Sequence, residues 1–168
     1  TSWEGAFFSS VPPGTRQVAL RSAMVMSPDR GSIFGELLRL VRFGLGGTAG
    51  SGRQFVSWIH GEDFLRSIEY LIAHEECAGA FNLASPNPLP NREFMRTLGQ
   101  AWGAPLGLPA TVWMLELGAW FLRTETELIL KSRRVVPGRL QQAGFEFHFP
   151  DWPAAATDLV NRWRENYA

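Results

Sequence analysis

The stretch QVALRSAMVM, residues 17–26, constrains the fold more than any other part of the chain. It is apolar, partly β-branched, and stops at Ser27-Pro28-Asp29. A run of that kind reads as a strand buried on both faces, as in a parallel sheet. A second run, GAFNLA at residues 79–84, is closed by Ser85-Pro86-Asn87-Pro88, and residues 54–59 read as a short third strand. Helical stripes separate them. Ile33, Phe34, Leu37, Leu38 and Val41 make one, with Arg39 and Arg42 on its wet side. Phe64, Leu65, Ile68, Leu71 and Ile72 make another, with Asp63 as its predicted cap. Asn91 opens a helix carrying Phe94, Met95, Leu98 and Trp102; Asp151 opens a last one with Trp152, Ala156, Leu159, Val160 and Trp163 on one side. Further helical pieces are predicted at Trp3, Phe7, Phe8 and Val11 (ended by Pro12-Pro13-Gly14) and at residues 110–122, 125–130 and 137–143. Strands alternating with helices predict an α/β fold with a few parallel strands.

Composition removes several function classes. The 168 residues suit one ordinary domain. Lys+Arg and Asp+Glu stand at 16 each, so the usual footprint of a non-specific nucleic-acid binder is missing. Cys77 is the single cysteine, which excludes an internal disulfide framework and suits a reducing, cytoplasmic setting. Three widely spaced histidines, His60, His74 and His148, leave no structural-zinc pattern. The one membrane candidate, residues 105–122, holds two prolines and two glycines, and its helical part would be only about 20 Å long at 1.5 Å per residue. A buried or partner-covered helix is the expectation there, with Trp113, Trp120 and Phe121 as surface for another protein. The chain opens Thr1-Ser2-Trp3-Glu4 inside a helical pattern, without an initiator Met or a signal core, and this predicts a fragment.

Residues 44–52 are glycine-rich and formally contain G-x-G-x-x-G/A at Gly44, Gly46 and Ala49. A dinucleotide turn needs a strand before it and a helix after it, so that the pyrophosphate meets a helix N-terminus. Here a helical stripe precedes and a strand follows, so the segment reads as a mobile loop on the substrate side. Arg53 and Gln54 at its end are polar groups placed for a pocket, where an arginine can pair bidentately with phosphate or carboxylate. Arg133 and Arg134 with Arg139 form a basic cluster that is either an anion grip or a solvated turn. His60 beside Glu62 and Asp63 reads as a satisfied histidine at a strand end.

In order, VALRSAMVMSPDRGSIFGELL, GLGGTAGSGRQFVSWIHGEDFLRSIEYLI, GAFNLASPNPLPNREFMRTLGQAWG and SRRVVPGRLQQAGFEF resemble the C-terminal half of the atypical extended short-chain dehydrogenases/reductases, the nucleoside-diphosphate-sugar epimerase-like family. The tail ELILKSRRVVPGRLQQAGFEFHFPDWPAAATDLV resembles that subfamily's small C-terminal domain of unknown function. The resemblance implies the C-terminal part of a Rossmann-like fold: residues 1–84 as its tail with interleaved substrate-domain elements, residues 85–168 as a mostly helical substrate domain.

It also implies NAD or NADP as cofactor of the full-length protein, none bound to this piece, and a small-molecule substrate, nucleotide sugars included. Neither a nucleic acid nor a membrane is an expected partner; a homo-oligomer through exposed apolar surface is. Family enzymes carry a Tyr-x-x-x-Lys pair; here the tyrosines are Tyr70 and Tyr167 and the one lysine is Lys131, so no catalytic residue is assigned and the chain alone is expected to be inactive. Arg21, Ser22 and Ala23 resemble the strand end that lines the nicotinamide side of the cleft. Arg53, Gln54, Trp58, His60 and Arg134 are the expected substrate-binding set, and no residue is assigned to a metal. The diphosphate-gripping arginine of nucleotide-sugar epimerases falls at Val56, with Arg53 the nearest arginine. The alternative implied function is a non-catalytic interaction module with a degenerate reductase fold.

Overall fold

The computed structural model describes residues 2–10, 14–104, 107–108 and 132–167; the helices expected at residues 110–122 and 125–130 lie outside the described residues. The elements run α1 (Ser2–Ser9), β1 (Val18–Ser22), β2 (Met24–Met26), α2 (Ile33–Arg42), β3 (Phe55–Val56), β4 (Trp58–His60), α3 (Gly61–Ala73), β5 (Gly79–Leu83), β6 (Leu89–Pro90), α4 (Asn91–Trp102), α5 (Gly138–Gln142) and α6 (Trp152–Tyr167).

The 17–26 run forms two strands instead of one, because it changes partner at Ala23. Strand β1 pairs in parallel with β5, Val18 opposite Gly79, and β2 pairs in parallel with β4, Met24 opposite Trp58. At the switch the Ala23 N–H donates to the Leu83 carbonyl at 2.9 Å and the Met24 N–H to the Ser57 carbonyl at 3.3 Å. Parallel pairing is as expected; burial on both faces is not. Only Ala19 of β1 is buried, and Leu20 instead lines an open groove with Val18, Ile68 and Ile72. The short β3 pairs antiparallel with β6.

Two apolar clusters hold these elements. The larger joins Met26, Phe34, Leu38, Val56 and Trp58 to Phe94, Leu98, Trp152, Leu159 and Val160, so α4 and α6 close over α2 and β4. Phe94 and Trp152 stack at 3.9 Å, Trp58 meets Trp152 edge-on at 4.9 Å, and the Trp152 indole donates to the Phe94 carbonyl at 2.9 Å. The second gathers Ile59, Leu71, Phe81, Leu83, Leu140 and Phe145 under α3 and α5. Helix α2 starts where Ser32 accepts from the Gly35 N–H at 2.9 Å, an N-cap that satisfies one otherwise orphaned donor.

Helix α1 departs from its sequence stripe. Trp3, Phe7 and Phe8 are exposed, and the buried residue is Glu4, which holds Arg21 bidentately at 2.6 and 2.9 Å. The helix is therefore attached by a charge pair on β1 rather than by its aromatic face. On α3, Leu71 is buried while Leu65 and Ile72 are 62% and 67% exposed, so its stripe is only partly covered among the described residues.

Candidate functional site

The glycine-rich loop connects α2 to β3, the reversed context expected for it, and it is pinned rather than loose. Buried Gln54 donates through Nε2 to the Ala49 carbonyl at 2.8 Å, and the Ala49 N–H donates to Asn91 Oδ1 at 2.9 Å. The Asn91 and Arg92 N–H groups donate to the carbonyls of Gln54 and Gly52, which ties the loop to the first turn of α4. Residues 107–108 close the other side: Gly47 N–H to the Leu108 carbonyl at 3.1 Å, Leu108 N–H to the Gly44 carbonyl at 2.8 Å. A Cβ on Gly46 would lie 2.5 Å from Val41 Cγ2, and one on Gly107 2.7 Å from the Gly46 and Gly47 backbone. The small residues are needed because backbones meet there. Gln54 is thus a loop staple. Asn91, which sequence reasoning passed over as a plain helix start, is its partner.

Strand β3 carries the basic cluster. The Phe55 N–H donates to Ser132 Oγ at 3.1 Å, the Arg133 N–H to the Phe55 carbonyl at 3.2 Å, and Ser57 Oγ to the Arg133 carbonyl at 2.5 Å. Ser57 Oγ also accepts from the Val135 N–H at 2.9 Å. This lashing runs residues 132–135 along β3 and places the Arg134 guanidinium 5.0 Å over the Phe55 ring. Arg53 precedes the same ring by two residues and is exposed, with no side-chain partner among the described residues. Arg134, far away in sequence, is therefore brought to the strand that begins two residues after Arg53. Arg139 leaves the cluster: its guanidinium binds the Ala78 and Ala80 carbonyls and lies 4.3 Å over Phe81.

At the β4–α3 junction the expected residues turn inward. Trp58 is fully buried, and its indole N–H has no hydrogen-bond acceptor among the described residues. His60 is buried, stacked on Phe149 at 3.9 Å. Its Nδ1 accepts from the Glu62 N–H at 3.1 Å, so the proton sits on Nε2 and is donated to Asp158 at 3.1 Å. His60, not Asp63, caps α3. Asp63 is fully buried and accepts from the backbone N–H groups of His148 and Phe149 and from Arg66. Arg162 joins Glu62 to Asp158 at 2.8 Å each, and His148 Nδ1 meets Glu62 at 2.7 Å. The WIHGED segment is a clasp on the C-terminal helix. His60 and His148 with Glu62, Asp63 and Asp158 form no metal-binding group among the described residues.

Burial holds the His60 imidazole below its ordinary range, against the upward pull of Asp158. The His148 and Arg162 hydrogen bonds hold the Glu62 carboxyl below its own. A histidine with a depressed native pKa contributes stability above the unfolded value of about 6.5 and loses it as pH falls toward the native one. Glu62 adds a further loss as pH falls below about 4.3. Melting temperature is thus expected to drop as pH falls below about 6.5, and His60→Gln should flatten that slope while lowering stability at neutral pH. Equal slopes in both proteins would show that His60 does not carry the effect.

At the carboxyl end of β1, Arg21 is engaged by Glu4, while the Ser22 hydroxyl is exposed and donates to the Ala23 carbonyl at 2.8 Å. No helix among the described residues is long and apolar enough to cross a membrane.

A family model described as a domain of unknown function (DUF1731) matches residues 110–159. An epimerase family protein of Mycobacterium leprae is 36% identical over 148 residues, which cover 87% of this chain and 47% of that protein. The crystal structure of the human epimerase family protein SDR39U1 with NADPH superposes with a TM-score of 0.84 at 32% identity, covering 95% of this chain and 52% of that one. The nucleoside-diphosphate sugar epimerase from Corynebacterium glutamicum superposes with a TM-score of 0.71 at 25% identity, covering 95% and 29%. The chain spans about half the length of the curated relatives it matches. Paired parallel strands with crossover helices, a C-terminal segment of the DUF1731 type and these relatives together make the chain a member of the extended short-chain dehydrogenase/reductase-like epimerase family.

Proposed function

We propose that this chain supplies the substrate side of a nicotinamide-dependent epimerase or reductase, and that Arg53 and Arg134 orient an anionic, polyhydroxylated substrate of the nucleotide-sugar class. The observation that carries the reading is that the β3 lashing lays Arg134 over Phe55, on the strand that begins two residues after Arg53, which is exposed and free of side-chain partners among the described residues. Guanidinium groups match phosphate geometry bidentately, and a diphosphate offers each one a separate oxygen pair. The human relative's NADPH and the C. glutamicum relative's substrate class support the chemistry.

A bound nicotinamide would supply hydride transfer at a carbinol carbon. This chain's part is to bind and orient. In open α/β sheets ligands collect at the carboxyl ends of parallel strands, which here is where Ser22 and Ala23 lie beside the end of β5. Those two fit one wall of a cofactor cleft. Arg21, committed to Glu4, acts as a positioning residue that fixes α1 against that wall. Trp58 and His60 support the site from inside: they set β4, and so the strand β3 that precedes it, and touch no ligand themselves. In this reading residues 1–84 and 85–168 are the two structural contributions to a larger enzyme.

Binding of UDP, measured by calorimetry, is the direct test. Arg53→Ala and Arg134→Ala are each expected to weaken it by about tenfold to a hundredfold, the range for losing a charge-assisted hydrogen bond. Unchanged affinity in both variants would end the proposal. The exposed apolar groove at Leu20 and Ile72 favours a second reading, self-association as an interaction module, which a concentration-dependent mass without UDP binding would support.

A further inference from the structure

We propose a second ligand site, separate from the Arg53–Arg134 pair: the cavity between the glycine-rich loop and α4 binds a phosphate-bearing small molecule through Arg92 and Arg96. The cavity measures about 400 Å³, within the range of small-molecule pockets. Gly46, Gly47 and Thr48 form one wall; Arg92, Arg96 and Gly99, on one face of α4, form the other.

Three observations point to an anion. Arg92 and Arg96 are four residues apart on one helix face, an arrangement that destabilises a helix by like-charge repulsion. Most other arginines of the described chain are engaged. Arg16 binds the carbonyls at the end of α3, Arg21 holds Glu4, Arg66 holds Asp63, and Arg162 holds Glu62 and Asp158. Arg92 and Arg96 form no ion pair and no side-chain hydrogen bond among the described residues, yet both line the same cavity. Second, the opposite wall is rigid before any ligand arrives. The Gln54–Ala49–Asn91 staple, and glycines whose Cβ atoms would collide with backbone or Val41, hold the loop flush, so little order has to be imposed on binding. Third, Gly99 and buried Met95 line the cavity beside the arginines, an apolar surface for the rest of a ligand whose polar end is held by the arginines.

At the start of α4 the Asn91 and Arg92 N–H groups already serve Gln54 and Gly52. Recognition is assigned to the two arginine side chains that line the cavity. Two guanidiniums one turn apart present more donors than a carboxylate has acceptor sites, whereas a phosphate dianion with three terminal oxygens can engage both. Glu93 also lines the cavity and opposes the anion. Its presence makes the site selective for ligands with enough charge to overcome one carboxylate.

Pyrophosphate titrated calorimetrically at fixed ionic strength tests the site, because screening would otherwise mimic a loss of affinity. Saturable binding is expected, weakened about tenfold or more by Arg92→Ala and by Arg96→Ala, and tightened by Glu93→Gln. Arg53→Ala serves as the control for the neighbouring site and should leave this binding event in place. Unchanged circular dichroism and melting curves for the arginine variants, whose side chains are exposed, confirm that folding is intact. Two results would overturn the proposal. One is no saturable pyrophosphate binding by the wild-type chain. The other is binding that Arg53→Ala abolishes while the Arg92 and Arg96 variants retain it, which would assign the anion to the Phe55 site.

Discussion

Asp63→Ala is expected to lower the unfolding free energy by about 3–5 kcal/mol, the cost of leaving a buried ionic cluster with one partner missing. The carboxylate is fully buried and accepts from the His148 N–H at 2.9 Å, the Phe149 N–H at 2.8 Å and Arg66 at 2.8 Å. Alanine strands two backbone donors and a guanidinium at once, and a buried donor without a partner costs about 1–3 kcal/mol on its own. Asparagine should rescue only part of this. It keeps one carbonyl oxygen, but its amide presents hydrogens to one of three groups that are all donors. The consequence reaches beyond α3, because the same two N–H groups position Phe149 on His60 and lead the chain into α6. Urea unfolding with an unchanged m-value is the measurement; a loss below about 1 kcal/mol would show that water replaces the carboxylate.

Trp152→Ala is expected to cost a similar amount, about 3–5 kcal/mol, by a different route. Its ring is buried against two others, stacked on Phe94 and edge-on to Trp58, and no exposed surface allows the neighbours to collapse inward. The indole N–H to Phe94 carbonyl bond is lost with it. Since α4 and α6 meet at this ring, the substitution should also loosen α4 and hence the loop that Asn91 holds. Trp152→Phe retains stacking area and should cost much less. In a double-mutant cycle, Trp152 and Phe94 should show a coupling of about 0.5–1.5 kcal/mol. Additive effects would mean that the stacked geometry contributes nothing beyond burial.

Local signals were sufficient wherever the partner was generic. The stripes Phe34–Leu38–Val41 and Phe94–Met95–Leu98 face the core as their spacing requires, because any apolar surface satisfies them. Gly144, at φ 94°, follows α5 in the left-handed conformation that commonly ends a helix. The apolar runs at 17–26 and 79–84 are strands, and they pair in parallel as the interleaved helices demand. The motif order carried the family as well, and relatives 35–36% identical bear it out. Among the expected site residues, the fold lays Arg134 over Phe55, two residues beyond Arg53 in sequence.

Specific partners were another matter. Gln54 looked like a pocket residue but is spent on Ala49, Arg21 on Glu4, and His60 on Asp158, ninety-eight positions away. Asp63 has the residue type and position of a cap, yet its carboxylate serves backbone groups eighty-five and eighty-six residues downstream. Helical and strand periods report only which side of an element is apolar. They do not report which other segment arrives there, nor whether a polar side chain finds its acceptor inside the protein or in a ligand. Element type and family were set by the sequence through local sterics and burial pattern. The division of its polar residues into structural clasps and available ligand groups was decided by long-range packing, because a buried hydrogen-bonding group takes whichever partner the tertiary fold places within about 3 Å.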